Sequence, residues 1–242
     1  MQNRIVSRDE WLAARTALLA REKEFTRLRD ELTEQRRALP WLQVEKIYEF
    51  AGPNGKETLS DLFAGRSQLV VKHFMFGPEW SEGCVGCSFE LDQVQGALTH
   101  IQHHDVSYAV VSRAPFAKIE AFRQRMGWPV KWVSSSDNDF NYDFHVSFTP
   151  EEIAAGSANY NYRSGAQVID EMSGRSVFYK NEAGEIFHTY SSFARGGEIF
   201  LNSYAFLDIT PKGRNETING NLTDWVRHHD RYEDSVASCC HD

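Results

Sequence analysis

The chain predicts an α/β fold in three layers, a mixed sheet between helices, with a long helix ahead of it and an extension behind. Three observations carry this. Strand-like and helix-like runs alternate as βαβα from Leu69 to Met126, two further strand-like runs are joined by a short turn, and Cys84-Val-Gly-Cys87 stands where the first apolar run gives way to a helix. With 242 residues, 41% of them hydrophobic, the chain can bury one large core and still carry appendages.

The first element is a helix opened by Ser7-Arg-Asp-Glu10, where hydroxyl and carboxylate can each satisfy an orphan amide of the first turn. Trp11, Leu18, Phe25, Leu32 and Leu39 then recur at every seventh position among charged residues, and Pro40 ends the run. That seam needs a partner. The chain's own domain and the same helix of a second copy both suit it, so a homodimer through residues 1–40 is one of two open readings.

After Trp41 the pattern predicts a strand over Val44–Phe50, a turn at Gly52 to Gly55 and a short helix from Thr58 to Phe63. Leu69 to Phe76 reads as a central strand, apolar on both faces apart from Lys72 and His73. A helix should run from Cys84 to about His104, followed by a strand at Val106–Ser112. Another helix spans Pro115 to Met126, its proline near the first turn, and Val130–Val133 forms a short strand. Residues 149–174, rich in Gly, Ser, Asn and Glu, read as an irregular insertion. Ser176 to Tyr190 reads as two strands with a turn at Asn181 to Gly184. This order is the thioredoxin-fold layout. It divides the chain into a helical arm (1–40), a thioredoxin-like domain (41–208) and a C-terminal extension (209–242).

A net charge of −8 argues against nucleic acid as a partner, since phosphate binding wants a basic field. No run of eighteen apolar residues exists and the first residues lack a signal-peptide core, so the expected location is cytoplasmic, away from membranes. In a reducing cytoplasm four cysteines do not build a permanent scaffold. A C-x-x-C pair there reads as a redox pair or half of a zinc site. His100, His103, His104, Cys239 and Cys240 offer only loose further ligands, and no metal or other cofactor is expected.

Several phrases carry a resemblance: Ser7-Arg-Asp-Glu-Trp, Pro40-Trp41, His73-Phe-Met-Phe-Gly-Pro, Glu82-Gly-Cys-Val-Gly-Cys-Ser-Phe89, Val111-Ser-Arg-Ala-Pro115, Asp139-Phe-Asn-Tyr-Asp-Phe144 and Leu207-Asp-Ile-Thr-Pro-Lys-Gly213. Together they resemble an uncharacterised bacterial family, that of domain of unknown function 899. Its members are catalogued as thioredoxin-like, predicted dithiol-disulfide oxidoreductases. The similarity covers nearly the whole chain, and Val110 to Phe148 also looks like the peroxiredoxin branch of that fold. The resemblance implies a protein or small-molecule disulfide as substrate and a thiol reductant as electron donor.

In that frame Cys84, heading a helix, is the attacking thiolate, and Cys87, one turn on, resolves the mixed disulfide. His73 stands where thioredoxin has a buried acid, and is the candidate general base for Cys87. Trp80, Glu82, Arg113 and Ser176 are candidates for substrate binding. Trp80 is separated from Cys84 by Ser-Glu-Gly instead of adjoining it, Glu82 would disfavour a nearby thiolate, and Arg113 ends a strand where it can face an anion. Ser176 or Arg175 occupies the place where thioredoxins carry a cis-proline. Peroxiredoxins also lack that proline, and Ser81-Glu-Gly-Cys84 matches part of their signature, so peroxide reduction at Cys84, through a sulfenic acid, is an alternative. A non-catalytic binding module is another. The aromatics Phe140, Tyr142, Phe144, Phe148, Tyr160 and Tyr162 suit core packing or a groove beside the thiols, and Cys239-Cys240 is a candidate relay.

Overall fold

In a computed structural model, residues 3–216 and 225–232 are described. The chain divides into two units, Met1–Pro40 and the remainder from Trp41. The first is helix α1 (Arg8–Arg37). Ser7 and Glu10 form the expected reciprocal cap, and none of the helix's residues is buried.

The second unit is built on an eight-stranded sheet. Its strands are β1 (Leu42–Gln43), β2 (Glu49–Gly52), β3 (Gly55–Thr58), β4 (Gln68–His73), β5 (Val106–Ser112), β6 (Lys131–Ser134), β9 (Gly174–Lys180) and β10 (Ile186–Phe193), in the order β1-β10-β9-β4-β5-β6-β2-β3. Strands β4, β5 and β6 run parallel, joined through helices α2 (Val85–His103) and α3 (Phe116–Arg125). Strands β9 and β10 return antiparallel beside β4. A parallel βαβ unit extended by an antiparallel hairpin is the thioredoxin-like arrangement, and the sheet does lie between two covering layers.

Alternation along β4 and β5 separates those layers. Phe74, Phe76, Cys87, Leu91, Val110, Ile119, Phe122, Trp128 and Trp132 fill the side covered by α2 and α3. Phe50, Leu62, Phe63, Leu69, Val71, Ala109, Val111, Phe140 and Phe178 fill the other, under the turn Asp61–Phe63 and helix α4 (Phe140–Asp143).

Three local readings change. The strand expected at Val44–Phe50 is split, because Leu42–Gln43 pairs with β10 at one sheet edge and Glu49–Gly52 with β6 and β3 at the other. The helix expected from Thr58 shrinks to one 3₁₀ turn. Gly52 opposes Gly55 across a two-residue turn, and Gly55 at φ +94° lets the chain fold straight back as β3. The ladder of β4 stops at His73, although Phe74 N–H still donates to Val111 and Ala114 N–H to Phe76 O. Within 149–174 the chain forms helix α5 (Pro150–Ala155) and the small hairpin β7 (Asn159–Tyr160) and β8 (Arg163–Ser164). Past β10 a 3₁₀ stretch, Ala194–Phe200, leads to helix α6 (Asn202–Asp208), whose Tyr204 packs on Phe89 of α2. No helix among the described residues is long and apolar enough to cross a membrane. Cys239 and Cys240 lie outside the described residues.

Candidate active site

Cys84 is the N-cap residue of α2, and no side chain caps the helix there. No acid stands in the first turn either, so the free amides of that turn point at the sulfur without a competing carboxylate. Its thiol is held well below its ordinary value, to about 6. The Cys87 thiol donates to it, the backbone amides of Cys87 and Gly86 donate as well, and the charge of Lys72 adds to them against the opposing effect of burial. Cys87 is buried, and its role as donor to Cys84 together with burial pushes its own thiol up. One sulfur is therefore prepared as a thiolate and the other as a protonated thiol one turn below it.

The loop that presents Cys84 is fastened from several directions. Cys84 N–H donates to Met75 O at 3.0 Å, and Lys118 Nζ of α3 donates to Pro78 O at 2.7 Å and Trp80 O at 3.0 Å. The Trp80 indole donates to Asp170 at 3.2 Å. Gly83 lies so close to the aromatic layer that a Cβ there would sit 2.7 Å from Phe74 and 2.8 Å from Phe122. From the chain end, His228 donates to Gly83 O at 3.0 Å while its ring packs on Phe122.

Lys72 lies directly beneath the thiols, and its importance is not stated by the sequence pattern alone. It pairs in register with Val110, whose side chain belongs to the α2/α3 layer, so Lys72 points at α2. The side chain is fully buried, and its ammonium is 2.9 Å from Glu90. Burial pulls the ammonium down to about 7, while charge and a hydrogen bond with Cys87 oppose that fall. Arg175, opposite Lys72 on β9, donates Nε to the same carboxylate at 2.8 Å and also bonds it through Nη2. Its guanidinium passes over Gly197, where a side chain would collide with it. Lys72, Glu90 and Arg175 thus form one buried charged cluster under Cys87. The signal available in the sequence was a lysine inside an otherwise apolar strand, which must have a partner if the strand is central.

His73 does not reach that cluster. It pairs with Val111, whose side chain lies in the opposite layer, and its ring stacks against Phe140 and Phe144. Burial, with the charge of Lys72 next, holds the imidazole down at about 3, and its Nε2 bonds the Ser176 hydroxyl at 2.8 Å. Adjacent strand residues face opposite ways, so the sheet lies between the His73 ring and Cys87, and of the two neighbours Lys72 is the one on the side of the thiols.

The expected binding residues are dispersed. Ser176 is buried on the same far face, bonded to His73 and at 2.8 Å to Ser191, which in turn meets His188 at 2.7 Å. It lies across the sheet from the thiols, and Arg175 is the residue of that strand on their side. Arg113 pairs with buried Glu171 at 2.9 Å and lies over the Tyr142 ring. Glu82 is bound by Arg125 at 2.8 Å and by Arg231. Partial burial would raise that carboxyl, but the two guanidiniums overcome it and hold it low, so its negative charge beside Cys84 is offset. Trp80, half-buried, is the one of the four that packs on the apolar layer against which Cys84 also lies. Phe140 and Phe144 line the far layer, and Phe148 and Tyr160 sit in a separate small core. His100 and His103 lie in the last turn of α2, roughly 24 Å or more along the axis from Cys84.

Residues 1–232 match the family described as "Bacterial protein of unknown function (DUF899)". The chain belongs to this family. No curated protein is significantly similar to it. Among solved structures, PrxQ from Xylella fastidiosa matches with 16% identity and a TM-score of 0.42, over 66% of this chain and 88% of that one. Peroxidoxin BcpB from Mycobacterium tuberculosis matches at 12% identity and a TM-score of 0.44, over 68% and 97%. Peroxiredoxin Q from Xanthomonas campestris gives 17% and 0.42, over 65% and 90%.

Proposed function

We propose that this DUF899 protein is a dithiol–disulfide oxidoreductase. The observation that supports the reading is the opposed state of its two thiols. Cys84 is stabilised as a thiolate at the N-terminus of α2, and Cys87 is buried, protonated and hydrogen-bonded to it.

The Cys84 thiolate attacks one sulfur of a disulfide substrate, forming a mixed disulfide and releasing the other half as a thiolate. Cys87 then gives its proton to the neutral amine of Lys72 and attacks the Cys84 sulfur. The Cys84–Cys87 bond forms as the mixed disulfide breaks, and the second half of the substrate leaves as a thiolate that takes up a proton. Two electrons pass from the dithiol to the substrate, and an external thiol reductant restores the pair. Lys72 suits the transfer because burial brings its amine near neutrality, and Glu90 and Arg175 fix its position. Trp80 borders the approach to Cys84 and is the candidate surface for substrate.

The Cys87→Ser variant provides the test. Without a resolving thiol it should accumulate a stable mixed disulfide at Cys84 when treated with a small aromatic disulfide, read as an adduct mass on the peptide containing Cys84. Failure to form any adduct at Cys84 would contradict the reading. A sulfenic acid formed only with peroxide would move the assignment to peroxide reduction.

A further inference from the structure

Helix α1 exposes what a soluble helix normally covers. Trp11, Leu18, Phe25, Leu28 and Leu32 are 58%, 54%, 66%, 51% and 41% exposed along one side of a 30-residue helix. In heptad terms Trp11, Leu18, Phe25 and Leu32 occupy a, and Ala14, Arg21, Leu28 and Gln35 occupy d.

The flanking charges say what fits the seam. The g positions are Glu10, Ala17, Glu24 and Glu31, and the e positions are Arg15, Glu22, Arg29 and Arg36. In a parallel, in-register pair each g residue meets the following e residue of the other helix. That sets Glu10 against Arg15, Glu24 against Arg29 and Glu31 against Arg36 on both sides of the seam, and leaves Ala17 and Glu22 neutral. An antiparallel pair would instead oppose g with g and e with e, setting Glu against Glu at g and, Glu22 apart, Arg against Arg at e. We infer that α1 forms a parallel, in-register two-stranded coiled coil with α1 of a second copy of this chain.

The contacts that α1 makes within itself do not obstruct this. Arg15–Glu22 at 2.8 Å and Arg21–Glu24 at 3.1 Å are solvent-exposed pairs, which are weak and exchange readily. Glu10 caps the helix through Oε2 alone. The polar residues at d, Arg21 and Gln35, lower the strength of the seam and favour the one register in which each meets its twin. Both chains leave such a coil at the same end, which fixes the two copies as a symmetric pair.

Charge reversal in the full-length chain tests the inference. Sedimentation of the unsubstituted protein should give twice the chain mass. Glu24→Arg with Glu31→Arg, and separately Arg29→Glu with Arg36→Glu, should each weaken the dimer roughly tenfold or more, because every g–e contact they touch becomes repulsive. Mixing the two variants should restore a dimer containing one of each. Ala14→Cys should give a cross-linked dimer under mild oxidation that the unsubstituted chain does not form, as only a parallel register brings the two positions together. A protein that sediments as one copy, in which α1 is covered by its own chain, would overturn the inference. So would a dimer indifferent to both reversals, or one that Ala14→Cys fails to cross-link.

Discussion

Lys72 and His73 are neighbours in sequence with opposite fates, and the difference decides which of them lies on the side of the thiols. Both are buried, so composition does not separate them. The register does: Lys72 faces α2 and Glu90, whereas His73 faces Phe140 and Phe144. The sequence showed two polar residues interrupting an apolar strand, but a run of apolar residues on both faces gives no phase, and only the paired strands supply it. The rate of Cys84 alkylation should therefore titrate with a midpoint near pH 6, as the thiolate forms. Lys72→Met should move that midpoint upward by about one unit, since a nearby positive charge is lost. His73→Gln should leave the midpoint in place, because a sheet lies between the ring and the sulfur. A shift with His73→Gln and none with Lys72→Met would reverse the assignment.

At the level of elements, α2 and the loop before it do most to shape the site. The helix was legible because its boundaries coincide with Cys84 and His104, and the observed span, Val85–His103, lies one residue inside each. The loop was legible only in length. Its fastenings come from Lys118, Asp170 and His228, residues 38 to 145 positions away for which no local pattern speaks. The same limit explains β1 and β2, a single expected strand divided between two sheet edges. Gly83→Ala tests how tightly the loop is seated. The added methyl would overlap the Phe74 and Phe122 rings, and a denaturant titration of the reduced protein should show a loss of about 1–3 kcal/mol. Undiminished stability would mean that the loop can move away from the aromatic layer.

For the whole molecule, the fold followed from the order of its elements, and the family's phrases run through both units, from Ser7 to Gly213. The charged cluster under the thiols did not follow, since Lys72, Glu90 and Arg175 are far apart in sequence and become one feature only when β4, α2 and β9 meet. The state of Cys84 also reaches global stability. Its folded value, about 6, is below the unfolded value of roughly 8.5, so the folded state binds the proton more weakly. Its stabilising contribution is fully present above roughly pH 8.5 and is lost as pH falls through about 6. Relative to Cys84→Ser, the reduced protein should gain stability across that window, by at most about 3 kcal/mol, measured by denaturant unfolding at several pH values. A difference that stays flat with pH would show that the thiol is not perturbed.

The proposal that Cys84 and Cys87 are a working dithiol is tested most directly by thiol trapping. The reduced protein is oxidised mildly with a small disulfide, alkylated and mapped by mass spectrometry, then returned to reductant and mapped again. The predicted result is an intramolecular Cys84–Cys87 bond that forms with consumption of one equivalent of disulfide and opens again on reduction. Two freely alkylated thiols at Cys84 and Cys87 after that treatment, with the disulfide unconsumed, would contradict it.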